Sequence, residues 1–198
     1  MRTAEFVSPK HPDKLCDRIS DAILDEYMSG DKNSRCAIET CGGHAKIFIT
    51  GEVTSKTDVS DDRIREIVYN LTGIDDVIIH IHEQSTYIAQ GVDVGGAGDQ
   101  GIMIGYACRE NDEMIPHEYY LARKLNKHIY EQYSFDGKTQ ITLNHNEVSV
   151  VASFQNAPKE NLEILVREFF EQYPQYKIVA LHCNPAGDWE KGSFQADA

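Results

Sequence analysis

A histidine, a carboxylate and an amine lie together in the stretch His11-Pro12-Asp13-Lys14. Pro12 is predicted to open a helix, because its fixed φ suits the first helical position. A helix N-terminus carries partial positive charge and free N–H groups, so it binds anions. In that setting Asp13 could hold Mg²⁺ and His11 could donate to an oxygen that gains charge. The four residues also fit a structural role, in which Asp13 complements the helix dipole and His11 caps the helix.

A second group with chemical potential is Asp136-Gly137-Lys138, at the start of a predicted strand. A lysine in this position can reach a phosphate as a point charge. Lys138, Gln140 and Thr142 are predicted to share one face of the strand. Taken alone, Lys138 also fits a solvated residue at a sheet edge.

Carboxylates and imidazoles are predicted on neighbouring strands of the first half. Glu39 and Glu52 belong to adjacent predicted strands, where each can ligate a cation or an ammonium group, or can face water. His80 and His82 alternate with isoleucines and therefore share one face. Because no third ligand is close in sequence, we interpret these histidines as surface or packed residues rather than a metal site.

The segment from Ser85 to Gly101 is rich in glycine and also carries Asp93 and Asp99. Glycine permits unusual backbone angles and close approach to a ligand, although the same composition is typical of an interdomain linker. The sequence has no Walker A loop, no Rossmann glycine fingerprint, no nucleophile elbow and no zinc-finger spacing. Local motifs alone therefore do not name a function.

The elements that must position these residues follow one order twice: helix, strand, strand, helix, strand. Apolar residues at helical spacing predict four helices: three start at Pro12, Pro116 and Pro158, and the fourth is capped by Ser60. Gly30 and Gly73 are predicted to end the first two helices.

Strands are predicted near Cys36–Thr40, Lys46–Val53, Val77–His82, Gly101–Ala107, Lys138–Leu143, Glu147–Ala152 and Tyr176–Cys183. Gly42-Gly43 is the predicted turn of the first hairpin, and Asn144-His145-Asn146 that of the second. Two units of similar order predict an α+β fold built as a duplicated sandwich, with helices on one face of each sheet.

Composition narrows the class of protein. The 198 residues suit one large or two small domains, and 41% hydrophobic with 26% charged residues allow a packed core. A net charge of −13 argues against unspecific binding to nucleic acid or anionic membranes, because both need a basic face. No apolar run has the length of a membrane span, no signal segment follows Met1, and the five cysteines lack paired metal spacing. We therefore expect a cytoplasmic protein with reduced thiols.

Several segments form an ordered series: Glu5–Ser8, His11–Lys14, Asp17–Ala22, Glu39-Thr40, Gly51–Thr54, Glu83–Ser85, Gln90–Asp93, Gly96–Gly101, Asp136–Gln140 and Asn184–Gly187. In the same order they resemble the motifs of the S-adenosylmethionine synthetase (methionine adenosyltransferase) family. The hexapeptide at Gly96–Gly101 is highly specific in this context. The resemblance covers essentially the whole chain. It implies two of the family's three repeats, at residues 1–90 and 91–187, and the start of the third at residues 188–198.

The resemblance implies an activity and a set of roles. The family joins methionine to ATP: the thioether sulfur attacks the 5′ carbon of the adenosyl group, and the departing triphosphate is cleaved to diphosphate and phosphate. The implied catalytic residues are His11 and Lys138. Those for ATP binding are His11, Asp136, Lys138, Trp189 and Asp197, and those for methionine binding are Glu52, Gln84 and Asp99. The implied metal ions are Mg²⁺ at Asp13 and K⁺ at Glu39.

The sequence also departs from the family pattern. Pro9-Lys10 replaces the usual Glu-Gly, Thr86–Ala89 replaces Pro-Asp-Ile-Asn in the gate loop, and Asp188 replaces a basic or polar residue. The family's Gly-Leu-Thr-Gly-Arg-Lys segment and the remainder of its third repeat, which carry an arginine, lysines and a metal-binding aspartate, do not occur in the sequence.

Two hypotheses follow. The first is one part of a split or truncated synthetase, completed by a second polypeptide or within a homo-oligomer, because the family's active site lies between subunits. The second is a non-catalytic subunit or pseudoenzyme that binds a catalytic partner or one substrate. The retained residues His11, Asp13, Lys138 and Asp99 favour the enzyme, whereas the missing basic segment favours the binding subunit.

Overall fold

The structure, a computed structural model, describes residues 1–196. Asp197, which the resemblance implies as an ATP-binding residue, lies outside the described residues. The chain divides into two compact units. Unit 1 contains Met1–Lys14 and Gly105–Ser193, and unit 2 contains Leu15–Ile104 and the chain from Phe194. The fold is α+β, as predicted. The assignment of residues 1–90, 91–187 and 188–198 to three family repeats stays a prediction.

The secondary-structure elements have the following bounds. The strands are β1 (Arg2–Val7), β2 (Arg35–Gly43), β3 (Lys46–Thr54), β4 (Val77–Glu83), β5 (Gly137–Asn144), β6 (Glu147–Phe154) and β7 (Lys177–Cys183). The helices are α1 (Pro12–Gly30), α2 (Asp61–Thr72), α3 (Thr86–Val92), α4 (His117–Gln132) and α5 (Lys159–Glu171). A short 3-10 turn covers Ser193–Gln195.

Unit 1 is built on a four-stranded sheet with the order β1-β5-β6-β7. β5 and β6 form an antiparallel hairpin, and α5 connects β6 to the parallel strand β7. Alternate side chains of β5 and β6 enter a core that α4 and α5 also line. Fully buried members of this core include Leu121, Leu125, Ile141, Val150, Phe154 and Leu162.

β1 was not predicted from the sequence. Its side chains are exposed or only half-buried, so the hydrophobic pattern that identifies a strand is weak. β1 pairs antiparallel with β5, with Val7 opposite Lys138 and Glu5 opposite Gln140. This pairing brings the N-terminal residues to the strand that carries the candidate lysine.

Unit 2 is built on a three-stranded sheet with the order β2-β3-β4. β2 and β3 are an antiparallel hairpin, and α2 leads from β3 to the parallel strand β4. Residues of α1 and α2 pack with one face of this sheet in a second core, which includes Leu15, Ile19, Ile23, Ile47, Ile49, Ile64 and Val68. The opposite face carries Glu39 and Glu52.

The four predicted helices are confirmed, although Pro116 and Pro158 are N-cap residues directly before α4 and α5 rather than their first residues. α1 begins at Pro12 and ends at Gly30. Ser60 caps α2, because its Oγ accepts the N–H of Arg63 at 3.3 Å. Gly73 ends α2 in the left-handed region with φ 74°, which glycine adopts without strain.

The predicted turn at Gly42-Gly43 is wrong. Both glycines belong to β2, whose pairing continues until Gly43 faces Lys46. The two-residue turn is His44-Ala45, with φ values of 49° and 60°, as expected for a tight hairpin that matches strand twist.

The predicted strand at Gly101–Ala107 is also wrong. The structure has no strand in this stretch, and Ile102, Met103 and Ile104 are each 91% exposed, with no neighbouring strand to complete a ladder. Conversely, α3 forms in the glycine-rich segment that was interpreted as a linker or gate loop. In the described part of the chain, none of the helices combines the length and apolar character of a membrane span.

Candidate functional site

The start of α1 places His11 and Asp13 in contrasting environments. The His11 side chain is only 15% exposed, whereas that of Asp13 is 74% exposed. The N–H of Asp13 donates to Nδ1 of His11 at 3.2 Å. His11 therefore caps the helix, as the structural alternative expected, while Asp13 presents its carboxylate to solvent.

This hydrogen bond also sets the proton position on the neutral His11 ring. Because Nδ1 accepts, the ring proton is on Nε2. Oδ2 of Asp13 is 3.6 Å from Nδ1. His11 can thus cap the helix with one nitrogen and donate to a ligand oxygen with the other.

Ser8 connects the start of α1 to the start of β5. Its side chain is fully buried. Its N–H donates to the carbonyl of Gly137 at 2.8 Å, and its Oγ donates to the carbonyl of Phe135 at 2.9 Å. The N–H of His11 in turn donates to the carbonyl of Ser8 at 3.1 Å. These hydrogen bonds therefore hold His11, at the start of α1, and Lys138, at the start of β5, at the same end of one sheet.

Lys138 forms an ion pair with Glu5 across β5 and β1. Its Nζ lies 3.2 Å from Oε1 of Glu5, and the side chains are 44% and 56% exposed. Glu5 faces Gln140, so the two charged residues are diagonal neighbours on one face of the sheet. An exposed pair of this kind is weak, and an anion can compete for the lysine.

Asp136 and Trp189 both border Gly192. Asp136 is 3% exposed, and its Oδ2 accepts the N–H of Ser193 at 2.7 Å. A Cβ at Gly192 would overlap the Trp189 ring and lie 3.2 Å from the same Oδ2. The structure therefore brings together the two described residues that the resemblance places near the nucleoside.

Asn184 fixes the Trp189 ring from the end of β7. It is buried, and its Oδ1 accepts from the N–H of Phe154 at 3.0 Å and from Nε1 of Trp189 at 3.3 Å. Its Nδ2 donates to the carbonyl of Ala157 at 2.8 Å and to Oδ1 of Asp188 at 3.1 Å. The Asn-Pro turn thus orients the indole through a buried amide whose hydrogen bonds are mostly satisfied internally.

The Cys183 thiol, which lies next to this turn, is unreactive. Burial raises the pKa of Cys183 to about 11, with a further increase from the nearby Glu163 carboxylate. The thiol is therefore protonated at neutral pH and is a poor nucleophile.

In unit 2, the outer sheet face is the side of β2, β3 and β4 that carries Ala37, Glu39, Cys41, Phe48, Thr50, Glu52, Ile78, His80 and His82. Glu39 is exposed and faces Thr50, and Glu52 is half-buried and faces Ala37. Both candidate carboxylates therefore point to the same side of one sheet, on neighbouring strands.

Gln84 and Asp99 are both described but differ in their contacts. Oε1 of Gln84 accepts from Nε and Nη2 of Arg35 at 3.3 and 3.2 Å, and Arg35 also pairs with Asp93 at 3.0 Å. Asp99 is exposed, and its Oδ1 accepts the N–H of the adjacent Gln100 at 2.7 Å. Among residues 1–196, no hydrogen bond or ion pair joins Asp99 to Glu52 or Gln84.

The donor sets at the two expected metal positions consist of oxygen. Asp13 offers an exposed carboxylate, and Mg²⁺ commonly binds one or two carboxylates together with substrate phosphates. Glu39, which faces Thr50 in the sheet, offers an exposed carboxylate, and this donor suits a hard cation such as K⁺. No cluster of three or more His, Cys, Asp or Glu in residues 1–196 could hold a metal ion. The remaining ligands would have to come from substrate, water or another chain.

Four residues of the site escaped the sequence analysis as individual candidates: Glu5, Ser8, Arg35 and Asn184. Glu5, Ser8 and Asn184 lie inside the motifs quoted above, so their motif membership was the available signal. Arg35 lies outside them, and only its contacts with Gln84 and Asp93 identify it.

Fold and site together define a two-unit α+β protein whose first unit joins a helix N-terminus, an imidazole and a strand lysine at one sheet end. This arrangement suits a polyphosphate ligand. Residues 1–92 match the family model described as S-adenosylmethionine synthetase, N-terminal domain, and residues 94–189 match the central domain of the same enzyme. The chain belongs to the S-adenosylmethionine synthetase family.

Individual relatives agree with this assignment. The chain is 35% identical to S-adenosylmethionine synthase of Parvibaculum lavamentivorans, with 99% of this chain and 60% of the relative covered. It is 38% identical to the Zymomonas mobilis enzyme, with 99% and 61% covered. A solved structure, an unusual S-adenosylmethionine synthetase from Campylobacter jejuni, superposes with a TM-score of 0.83 at 27% identity, over 99% of this chain and 61% of that chain. The chain thus spans about 60% of the length of these relatives.

Proposed function

We propose that this chain takes part in forming S-adenosylmethionine from ATP and L-methionine, with release of phosphate and diphosphate. The methionine sulfur forms a bond to the 5′ carbon of ATP, and the bond from that carbon to the triphosphate oxygen breaks with its electron pair on oxygen. Water then cleaves the triphosphate. The observation that supports this best is the hydrogen bond from Ser8 to Gly137, which holds His11 and Lys138 at one sheet end.

His11 and Lys138 are the proposed catalytic residues. The chemical demand is neutralisation of charge on the departing triphosphate. His11 retains an Nε2–H donor, because its Nδ1 accepts the N–H of Asp13. This Nε2–H is proposed to face the leaving oxygen. Lys138 is proposed to exchange Glu5 for a phosphate.

The nucleoside is proposed to bind next to Asp136 and Trp189. The indole offers a flat ring for stacking on adenine, and its hydrogen bond to Asn184 limits its rotation. Asp197 is proposed as a further ATP-binding residue.

Methionine is proposed to bind through Glu52, Gln84 and Asp99. A carboxylate suits its ammonium group, and Glu52 lies half-buried on the outer sheet face. Gln84 is held in place by Arg35. Asp99 belongs to the glycine-rich hexapeptide, where the backbone can approach a ligand closely.

Mg²⁺ at Asp13 and K⁺ at Glu39 are the proposed cofactors. When bound, Mg²⁺ would supply positive charge that neutralises the polyphosphate, and K⁺ would add positive charge beside Glu39. Asp13 contributes an exposed carboxylate in the first turn of α1, and Glu39 contributes one opposite Thr50.

A second chain is proposed to complete the site, either a different polypeptide or another copy. An electrostatic argument supports this proposal, because the chain has only 19 Lys and Arg residues but 32 Asp and Glu residues. A triphosphate needs several cations, and in unit 1 Lys138 is already engaged by a carboxylate. Basic side chains from outside the chain would meet the remaining demand.

The test is an assay for S-adenosylmethionine from ATP and methionine, with the chain alone and with a polypeptide that carries the family's Gly-Leu-Thr-Gly-Arg-Lys segment. We expect product only from the combination. His11→Ala should abolish turnover in the combination while complex formation persists, and His145→Ala, in the hairpin turn of unit 1, serves as the matched control. Product from the isolated chain would contradict the partner requirement.

The alternative is a non-catalytic subunit that binds a partner or one substrate. The pairing of Lys138 with Glu5 favours it, because it leaves the candidate lysine neutralised. If the combination turns over equally well with wild-type chain and with His11→Ala, the alternative is correct and the catalytic proposal is wrong.

A further inference from the structure

His80 and His82 project from β4 on the outer sheet face of unit 2. Both side chains are exposed, and they are separated by Ile81, so both point to the same side of the strand. His80 faces Thr50 and His82 faces Glu52 on the adjacent strand β3. Glu39 on β2 faces Thr50 from the other side, so Glu39, Thr50 and His80 lie side by side across the three strands. The two imidazoles therefore share a surface with two carboxylates.

The two rings approach each other through the same nitrogen. Nε2 of His82 lies 3.1 Å from Nε2 of His80, and the ring centroids are 4.3 Å apart with an interplanar angle of 87°. In the neutral pair, one Nε2–H donates to the lone pair of the other Nε2. If that proton moves to the Nδ1 of its own ring, both Nε2 lone pairs become available at one point in space.

That separation matches two imidazoles on one metal ion. With metal–nitrogen bonds of about 2.0–2.1 Å, two ligand nitrogens lie about 2.9 Å apart at a right angle and about 3.3 Å apart at a tetrahedral angle. The observed 3.1 Å falls between these limits. The side chains would need little rearrangement to replace the shared proton with a metal ion.

The sequence pattern argued against a metal site here, but on the geometry of the two rings we propose that His80 and His82 form a two-nitrogen chelate for a divalent transition metal such as Ni²⁺, Cu²⁺ or Zn²⁺. Imidazole prefers these ions to Mg²⁺, and affinity should rise from Ni²⁺ to Cu²⁺. Residues 1–196 supply no third His, Cys, Asp or Glu in position, so water completes the coordination. The carboxylates of Glu39 and Glu52 on the same face favour a cation. His80 and His82 have no role in the proposed synthetase function, although they share the outer sheet face with Glu39 and Glu52, which do.

The test is calorimetric titration of the full chain with NiCl₂, ZnCl₂ and MgCl₂. We expect one Ni²⁺ or Zn²⁺ per chain, bound equally with and without excess Mg²⁺. His80→Ala and His82→Ala should each weaken binding about tenfold or more, because a single imidazole replaces the chelate.

The matched control is His182→Ala, an exposed histidine on β7 with no second histidine two residues away. It should bind Ni²⁺ like the wild type, and circular dichroism should show that all variants keep the fold. The proposal is wrong if the wild type binds neither Ni²⁺ nor Zn²⁺, or if the His80 and His82 variants bind them with wild-type affinity.

Discussion

Lys138 and Glu5 form an ion pair across neighbouring strands, with Nζ of the lysine 3.2 Å from Oε1 of the glutamate. The two residues are far apart in sequence and meet because β1 pairs with β5. In the proposed site, Glu5 forms an ion pair with the same lysine ammonium group that a phosphate would bind. Glu5 is therefore a competitor of the substrate.

Removing the charge of Glu5 should strengthen binding of a polyphosphate. An exposed pair contributes up to about 1 kcal/mol, so Glu5→Gln should raise the affinity for tripolyphosphate about two- to fivefold. The measurement is calorimetric titration without added divalent metal, so that a loss of metal binding does not interfere. Glu147→Gln, an exposed carboxylate at the other end of β5 and β6, should leave the affinity unchanged. A lower affinity in the Glu5 variant would show that Glu5 does not compete with the polyphosphate for Lys138.

Asn184 should be important for stability and for the Trp189 environment. Asn184→Ala removes the acceptor for the N–H of Phe154 and leaves that donor buried, which costs about 1–3 kcal/mol of unfolding free energy. Urea unfolding checks this value, and emission from the single tryptophan should change in the folded variant.

Asn161→Ala is the control for this prediction. Asn161 is exposed and donates to the Tyr133 hydroxyl at 2.7 Å. Its replacement should change the unfolding free energy by only about 0.5 kcal/mol. Equal losses in the two variants would contradict a special role for the buried amide.

His117 should make stability depend on pH. Burial lowers its pKa in the folded chain, although the Glu110 carboxylate opposes this shift. Below about pH 6.5 the unfolded chain therefore binds more protons than the folded chain. The contribution of neutral His117 to the free energy of unfolding is therefore complete above about pH 6.5. It is lost as the pH falls toward the pKa of His117 in the folded chain.

Unfolding free energies of the wild type and of His117→Gln, measured at several pH values, check this sign. The wild type should lose more stability than the variant as the pH falls. His182→Gln, at an exposed position, should follow the wild type. An identical pH profile for His117→Gln and wild type would refute the assignment.

The helices were predictable because their signals are local. Pro12, Ser60 and Gly73 act within one helical turn, and the apolar stripes repeat at a fixed spacing. β1 was not predictable, because its exposed side chains carry little pattern and its partner strand is distant. The hairpin turn at His44-Ala45 was misplaced, because Gly42 and Gly43 resemble turn residues although the ladder extends through them.

The candidate site was predictable residue by residue but not as an arrangement. The motifs and the family resemblance proposed His11, Lys138 and Trp189 as candidates, whereas the environment of these residues depends on long-range contacts. Glu5 reaches Lys138 only through strand pairing, and Ser193 reaches Asp136 only through the path of the chain after Trp189. No pattern in one sequence encodes such pairings.

The central claim is that the helix start at His11 and the strand start at Lys138 form one polyphosphate site. The most direct test is an NMR titration of ¹⁵N-labelled chain with tripolyphosphate and Mg²⁺. The amides of residues 11, 13, 137 and 138 should shift together with one dissociation constant, while those of Lys177 and Ile178 at the opposite end of the sheet should not move. Lys138→Ala should weaken the binding seen at residue 11. Shifts confined to one of the two segments, or two unrelated dissociation constants, would contradict the account.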